Sequence, residues 1–300
     1  MSSMPQAMPG IDHPLVLVRD IERARGFYTR LGFTMTPVGF HPWGTSTTLA
    51  VLERSLLEVM SVYDESLTGG YGTGDFLFGR HMQEALAERE GLSLVALHSR
   101  DAAGDRADMA SRGIQPSGAI HFRRRVRVPG GDWDEAVVEL EVLRDKALPR
   151  VSHFLCQQHR PELVWVPSWM QHANTARFIG AVTYRAPDPA PVLARLSAMF
   201  GGAAPVQHPF GWEVATGQGV FRVLRPDAWS MVFADAPQPV MAAEDNAGAA
   251  IDIAVADLAA ARRVLAEAGI ETCETPEGPA VRDIAACGNA LIRFVPAPGG

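Results

Sequence analysis

A histidine and a glutamate stand inside two short apolar runs of this sequence. His13 follows Asp12 in "GIDHPLVLVRD", and Glu58 lies in "SLLEVMSV". A carboxylate in such a run is costly to bury unless it is paired or coordinated. A histidine at the start of a strand either binds a metal ion, lines a cavity or hydrogen-bonds the backbone. His13 and Glu58 therefore predict either a divalent-ion site or a hydrogen-bonded pair.

Two other segments carry polar and aromatic residues that are candidates for substrate binding. "PVGFHPWG" contains His41 and Trp43 and recurs later as "PVQHPFG". This loop either covers the mouth of a cleft or is a shared structural turn. The segment "QQHRPELVWVPSWMQHANTA" is typical of a ligand-binding loop or of aromatic packing between domains. Its candidate substrate-binding residues are His159, Trp169, His172 and Asn174.

Composition excludes several classes of protein. The formal net charge of -7 argues against a nucleic-acid-binding surface. The three cysteines form no CxxC pair, so neither a disulfide framework nor a cysteine zinc site is expected, and a reducing compartment fits. The sequence has no signal-peptide pattern and no apolar run long enough to span a bilayer. We therefore expect a cytoplasmic protein without a membrane partner. Nucleophile-elbow, P-loop and dinucleotide motifs are also missing.

A repeated pattern predicts how the candidate residues are positioned. The strand-like run around His13 leads into "DIERARGFYTRLGF", which has helical spacing, an aspartate cap and a terminal glycine. Three short strand-like runs follow. The same order recurs three more times, and each helical segment ends in a glycine, namely Gly32, Gly113, Gly201 and Gly269. In the third repeat, "WSMVFADA" is expected to be the last strand. The sequence thus predicts an α+β protein of four βαβββ modules.

One module alone leaves a sheet face exposed, so we expect the modules to pair into two domains with a cleft in each pair. The first predicted domain spans residues 10–175 and contains modules 11–62 and 92–160 with a helical connector at 73–90. The second spans residues 177–297 and contains modules 177–235 and 248–297.

The module order, with "HPLVLVRDIERARGFYTRLGF" and "LLEVM", resembles the vicinal oxygen chelate superfamily, which includes glyoxalase I, extradiol dioxygenases and bleomycin-resistance proteins. "HPWGTSTTLAVLERSLLEVMSV" and "PELVWVPSWMQHANTA" are more narrowly similar to its glyoxalase-like branch. The resemblance implies paired-sheet domains and, in metal-using members, ligands on the first and last strands of each module. His13 and Glu58 match those positions.

The resemblance is incomplete beyond the first module. The matching positions of the second module hold Leu94 and either Cys156 or Gln157. His153, His159 or His98 could each complete a three-ligand site with His13 and Glu58, and we expect His153 to be the third ligand. Three ligands suffice for a catalytic metal ion. In the third and fourth modules the matching residues are Ala181, Ala250 and Arg293, so the second domain is expected to be a degenerate copy.

Two functions follow as hypotheses. In one, a divalent ion in the first domain polarises an oxygen of a small-molecule substrate, Glu58 takes a catalytic role, and the reaction is that of a lyase, isomerase or dioxygenase. In the other, the protein binds or sequesters a small molecule, such as an antibiotic, without a metal. The second domain could then serve packing, a second pocket or a homodimer interface.

Overall fold

The computed structural model describes residues 8–298, which form two eight-stranded sheets, a two-stranded hairpin and six α-helices. The elements of the first half are β1 (Ile11–Leu17), α1 (Ile21–Arg30), β2 (Gly39–Phe40), β3 (Thr45–Val51), β4 (Leu56–Val62), β5 (Gly72–Thr73), β6 (Phe76–Leu77), α2 (Phe78–Glu88), β7 (Gly91–His98), α3 (Ala102–Ser111), β8 (Gly118–Arg127), β9 (Trp133–Leu143) and β10 (Ser152–Gln158).

The second half repeats the order of the first. Its elements are β11 (Ala176–Arg185), α4 (Pro189–Met199), β12 (Val206–His208), β13 (Gly211–Ala215), β14 (Val220–Leu224), α5 (Trp229–Phe233), β15 (Ala247–Val255), α6 (Leu258–Glu267), β16 (Thr272–Thr275), β17 (Gly278–Val281) and β18 (Leu291–Pro296). No helix within residues 8–298 has the length and apolar character needed to cross a membrane.

The repeated junction between strand and helix has a simple local cause. Asp20 caps α1 by accepting a hydrogen bond from the backbone N–H of Arg23, and Asp257 does the same for α6 with Ala260. Gly32, just past α1, has a φ of 91°, which side chains with a Cβ rarely adopt. The aspartate before each of the four module helices, α1, α3, α4 and α6, and the glycine after it thus fix where these helices begin and end.

Both large sheets have the same strand order, which confirms the predicted α+β fold of four modules. The first sheet runs β2-β3-β4-β1-β7-β10-β9-β8, and the second runs β12-β13-β14-β11-β15-β18-β17-β16. In the first sheet β1 pairs parallel with β4 and antiparallel with β7. The first and last strands of each module are therefore neighbours at the centre of the sheet.

The segment "WSMVFADA" is a correction to the sequence analysis, because its first part forms the short helix α5 instead of a strand. Trp229, Val232 and Phe233 recur at helical spacing and are buried against one face of the second sheet. A short apolar run is typical of a buried strand, but it occurs equally in a buried helix, so the sequence pattern does not distinguish the two.

One large hydrophobic core lies between the two sheets and includes Val16 and Leu155 of the first sheet and Val182 and Phe221 of the second. The opposite faces of the sheets carry separate clusters. Because the two halves share this core, they are expected to unfold together, and the division into two domains near residue 175 stays a prediction.

Candidate functional site

His13 and Glu58 lie on the face of the first sheet that points away from the shared core. β1 and β4 are parallel neighbours, with Leu15 opposite Glu58. His13 Nε2 lies 3.1 Å from Glu58 Oε2, and both side chains are buried. The hydroxyl of Thr47 on β3 donates a hydrogen bond of 2.6 Å to Glu58 Oε1. The structure thus brings the two residues together as a buried pair whose remaining carboxylate oxygen is also occupied.

Asp12 holds His13 from the other side. Its Oδ1 lies 2.9 Å from His13 Nδ1, and its Oδ2 lies 2.9 Å from His98 Nδ1 on the neighbouring strand β7. His98 Nε2 in turn lies 2.5 Å from the carbonyl oxygen of Arg54. Both nitrogens of each imidazole therefore face an acceptor, which favours the doubly protonated, positively charged form of His13 and His98.

The opposite charges of neighbouring groups strongly shift the pKa values of His13 and Glu58. Burial alone would lower the pKa of His13, but the carboxylates of Asp12 and Glu58 outweigh it and raise the pKa to about 10. Burial would raise the pKa of Glu58, yet the hydrogen bond and charge of His13 lower it to about 2. His41 has no such partner, and burial lowers its pKa to about 4. At neutral pH the site therefore holds charged His13 and Glu58 beside neutral His41.

We expect NMR titration of the imidazole signals to show this contrast. His13 should stay protonated from pH 5.5 to about 8.5, whereas His41 should already be neutral throughout. Because the folded pKa of His13 exceeds its unfolded value of 6.5, its contribution to stability is complete below pH 6.5 and is lost as the pH rises through about 10. An ordinary midpoint near 6.5 for His13 would contradict the buried ion pair.

The pair borders a small space, here called the inner cavity, with a volume of about 40 Å³. That volume holds a few water molecules or one small functional group. Its polar wall consists of His13, His41, Trp43, Thr47, Glu58, Arg124 and Gln158, and its apolar wall includes Leu15, Phe78, Phe122 and Phe154. The ring of His41 stacks on Trp43 with a centroid distance of 4.8 Å.

A wider space, here called the outer cleft, adjoins the inner cavity and has a volume of about 300 Å³. Leu49, Arg124 and Val164 border both spaces. The rest of the outer cleft is lined mainly by Pro37, Val38, Val126, Trp133, Leu163 and Trp169, with Arg125 and Arg127. A small polar chamber at the end of an apolar cleft is typical of a small-molecule site.

His153 is a correction to the predicted metal ligands. His153 lies on β10, where successive side chains point to opposite faces of the sheet. Phe154 and Cys156 are an odd number of residues away from His153, so their side chains point to the other face. Phe154 and Cys156 line the inner cavity, whereas His153 lies in the core between the sheets. Its Nε2 lies 3.0 Å from the hydroxyl oxygen of Tyr184. His153 therefore cannot share an ion with His13 and Glu58.

The predicted substrate-binding residues divide into two groups. His41 and Trp43 line the inner cavity, and Trp169 lines the outer cleft. His172 does not reach either space, because its Nδ1 accepts from the Thr34 backbone N–H and its Nε2 donates to the carbonyl of Val51. Its ring thus ties the segment after β10 to Thr34, which follows α1, and to β3.

The remaining two candidates are also placed elsewhere. Asn174 is fully buried and hydrogen-bonds the carbonyl of Leu31 and the backbone N–H of Ala176. His159 lies on the outer surface of the first sheet, 3.4 Å from Glu139. The segment that looked like one binding loop thus supplies a single wall residue, Trp169, from the predicted set.

Sequence reasoning missed two charged residues of the site. Asp12 was passed over because it directly precedes a more conspicuous histidine. Arg124 lies in "HFRRRVRV", where the neighbours Arg123 and Arg125 are exposed and Arg124 points inward with Phe122 and Val126. Alternation along a strand was the signal that could have separated Arg124 from its neighbours.

The residues present do not form a ligand set for a resident divalent metal ion. Within residues 8–298, no group of three or more His, Cys, Asp and Glu side chains is arranged to hold one. His13 and Glu58 supply two donors, where catalytic zinc sites have three protein ligands. In the second module the position matching Glu58 is Phe154, because Phe154 pairs with Ala96 as Glu58 pairs with Leu15. Cys156, the candidate from the sequence, lies two residues further along β10, and burial raises the pKa of its thiol well above the usual value. The thiolate that would bind a metal is therefore disfavoured.

The corresponding face of the second sheet holds a different arrangement. Asp252 on β15 is paired with Arg293 on β18 and with Arg222 on β14. Trp229 and Phe233 of α5 cover the same face. This face is therefore filled by its own side chains, in contrast to the cavity of the first sheet.

Comparison with known proteins places this geometry in context. A family model described as "Glyoxalase-like domain" matches residues 11–200. No curated protein matches the chain. Among solved structures, a hypothetical protein from Staphylococcus aureus aligns with a TM-score of 0.66 and 12% identity, covering 97% of this chain and 100% of the other.

Two further solved structures carry functional names. A mutant of 4-hydroxymandelate synthase from Streptomyces coelicolor aligns with a TM-score of 0.60 and 13% identity, covering 98% of this chain and 94% of the other. The Mn(II)-bound glyoxalase from Novosphingobium aromaticivorans aligns with a TM-score of 0.53 and 11% identity, covering 97% and 82%. At such identities these likenesses show a shared fold.

Proposed function

Because the chain belongs to the glyoxalase-like domain family, with the fold of the vicinal oxygen chelate superfamily, we propose that it binds a small molecule in the inner cavity and outer cleft. We further propose that His13 and Glu58 transfer a proton to and from the end of that molecule that enters the inner cavity. The observation that carries this proposal is the buried contact of 3.1 Å between an imidazole nitrogen and a carboxylate oxygen at the cavity wall.

The pair combines an acid and a base in one small chamber. Glu58 Oε2 is an acceptor for a substrate proton, and the N–H at His13 Nε2 is a donor for a developing negative oxygen. In direct contact, the two groups stabilise each other's charge, which drives their pKa values apart. A ligand group that enters between Nε2 and Oε2 weakens this contact, so the two pKa values move towards each other and towards the operating pH.

The reaction that these residues support is one that needs proton transfer alone. Isomerase and lyase reactions next to a carbonyl are of this kind, and the sequence had left them open together with dioxygenase chemistry. One of the structural neighbours is named as Mn(II)-bound, and the superfamily resemblance of the sequence had favoured a divalent metal here. The donor set of His13 and Glu58 does not support a resident ion, so the proposed proton transfer involves only these two side chains and the ligand.

A second candidate function is binding without chemistry. The outer cleft is the larger space, and aromatic side chains of Trp133 and Trp169 border it. Such a surface holds an apolar molecule by burial alone. In that case the protein would sequester its ligand, and the charged pair would only fix the orientation of the bound molecule.

Hydrogen–deuterium exchange separates the two candidates. Small carbonyl acids and ketones that raise the melting temperature of the protein would be incubated with it in D₂O, and loss of the C–H signal next to the carbonyl followed by NMR. We expect the wild-type protein to accelerate this loss for at least one bound compound, and Glu58→Gln to slow it by about 100-fold or more. Glu58→Gln keeps the shape of the side chain and its contact with Thr47.

The control is Glu139→Gln, which removes the same charge on the outer surface of the first sheet, beside His159. Its exchange rate should equal that of the wild-type protein. If compounds bind but none exchanges, binding without chemistry is the better function. If Glu58→Gln exchanges at the wild-type rate, Glu58 is not the base. Stoichiometric metal in protein purified without chelator would contradict the proposal that His13 and Glu58 act without a resident metal ion.

A further inference from the structure

Arg124 stands at the junction of the inner cavity and the outer cleft. It belongs to β8, an edge strand of the first sheet, and its side chain borders both spaces. A Cβ placed on Gly39 of β2, the opposite edge strand, would lie 3.2 Å from Arg124 Nη1. The guanidinium therefore fills the gap between the two edges of the curled sheet, where Gly39 leaves room for it.

Arg124 is a half-buried cation without an anion. Within residues 8–298 it makes no ion pair with any carboxylate, and none of its N–H groups has a hydrogen-bond acceptor of the protein. Burial lowers the pKa of Arg124, although the Glu58 carboxylate opposes this shift. Glu58 itself is engaged by His13 and Thr47. A guanidinium that is desolvated in this way is costly unless something else supplies the negative charge.

Trp43 provides a second, independent sign of a missing acceptor. Its indole is 1% exposed and lines the same inner cavity, and its Nε1–H has no hydrogen-bond partner among residues 8–298. Buried indole N–H groups usually find an acceptor. The wall of the inner cavity thus contains two residues, Arg124 and Trp43, whose N–H donors have no acceptor within residues 8–298.

The charged side chains around the inner cavity indicate the sign and the magnitude of the charge that a ligand there should carry. Asp12 and Glu58 are negative, and His13 and His98 balance them because both nitrogens of each ring face an acceptor. At the inner cavity Arg124 remains as one uncompensated positive charge, whereas Arg125 and Arg127 at the outer cleft are exposed and screened by solvent. A monoanionic ligand would complete the balance.

We propose that the ligand is an organic monoanion, with a carboxylate at the neck between the two spaces, bound by Arg124 and within the reach of Trp43. Its apolar body lies in the outer cleft against Trp169, and a small group next to the carboxylate enters the inner cavity towards His13 and Glu58. A planar carboxylate matches the fork of guanidinium donors. This inference rests on the proposed function of the two spaces and adds the chemical class of the ligand.

The test compares an acid with a neutral molecule of the same shape. Binding of phenylacetate and of 2-phenylethanol would be measured by isothermal titration calorimetry with the wild-type protein and with Arg124→Met. We expect the wild-type protein to bind phenylacetate at least about 10-fold more tightly than 2-phenylethanol. Arg124→Met should weaken phenylacetate binding by about 10- to 100-fold and leave 2-phenylethanol binding unchanged, since a charged hydrogen bond is lost.

Arg123→Met is the matched control, because it removes the same charge from the adjacent residue, which is exposed and paired with Glu135. It should bind both compounds as the wild-type protein does. Arg124→Met should melt no lower than the wild-type protein, since it removes an unpaired charge, and Arg124→Lys should retain part of the preference for the acid.

Three results would overturn the inference: no binding of phenylacetate at millimolar concentration, no preference for it over 2-phenylethanol, or equal phenylacetate affinity in Arg124→Met. A failure of this inference can be distinguished from a failure of the proposed function. If Arg124→Met binds phenylacetate normally while Glu58→Gln still abolishes proton exchange, only the assignment of Arg124 is wrong.

Discussion

Replacing Asp252 with asparagine is expected to lower the free energy of unfolding by about 3–5 kcal/mol. Asp252 is buried and accepts from Arg293 Nε at 2.8 Å and from Arg222 Nη1 at 2.8 Å. Neither arginine has more than 5% of its surface exposed. Asparagine keeps the shape but not the charge, so the two buried guanidinium groups lose their one buried counterion and keep only the more exposed carboxylates of Glu213 and Glu277. Urea unfolding followed by circular dichroism measures the loss.

Asp235→Asn is the control for this experiment. It breaks an ion pair of similar length, 2.7 Å to Arg282, but both partners are exposed, and solvent screens such pairs. We expect no measurable change in the unfolding midpoint for this variant. If Asp252→Asn is as stable as Asp235→Asn, the ion pair on the second sheet does not hold the fold together.

The same variant tests whether the second sheet takes part in binding. At a temperature where Asp252→Asn is still folded, its affinity for phenylacetate should equal that of the wild-type protein, because Asp252 and the inner cavity lie on different sheets. A loss of affinity in the folded variant would show that the two faces are coupled through the core that they share.

Replacing Asp12 with asparagine is expected to affect both stability and the site. Asp12 is 1% exposed and lies 2.9 Å from both His13 and His98. Without its charge, two buried imidazolium groups lose an anion, and we expect a loss of about 3 kcal/mol at pH 7. The pKa of His13 should fall, because its Asp12 partner is the main cause that raises it. Proton exchange by the Glu58 pair should slow accordingly.

The pH dependence of this effect has a definite sign. Opposing its burial, the charges of His98 and His13 lower the pKa of Asp12 to well below its usual range. The stability that ionised Asp12 contributes is therefore present above pH 3.8 and is lost as the pH falls below that value. Wild-type and Asp12→Asn proteins should become more similar in stability under strongly acidic conditions.

Asp105→Asn is the comparison for Asp12→Asn. Asp105 is also buried in the first half, but its partner is the neutral hydroxyl of Ser99, at 2.6 Å. Loss of one such hydrogen bond should cost about 1 kcal/mol. If Asp12→Asn costs no more than this, and His13 keeps its raised pKa, Asp12 does not control the charge of the pair.

Much of the fold could be predicted because its signals are local. An apolar strand, an aspartate cap and a glycine after the helix indicate each module. These three signals depend only on backbone conformations within a few residues. Four repetitions then imply that sheets pair to bury their exposed faces. The exception was α5, where five residues between Trp229 and Phe233 are too few for periodicity to distinguish helix from strand.

The pairing of His13 with Glu58 was also predictable in outline. Each is polar within an apolar run, and burial of such groups requires a partner. Because β1 and β4 are the first and last strands of one module, their adjacency follows from the module itself. The sequence by itself therefore determined the architecture and the two residues at the centre of the candidate site.

Only the tertiary structure decided what surrounds that pair. His153 and Cys156 are three residues apart on one strand, and the pleat sends Cys156 into the cavity and His153 into the core shared with the second sheet. Alternation along β8 separates Arg124 from Arg123 and Arg125, but only the curled sheet decided which of the two sets faces the cavity. The surroundings of a charged side chain, whether water, a partner or a cleft, depend on residues far away in sequence. A local sequence pattern therefore cannot predict them.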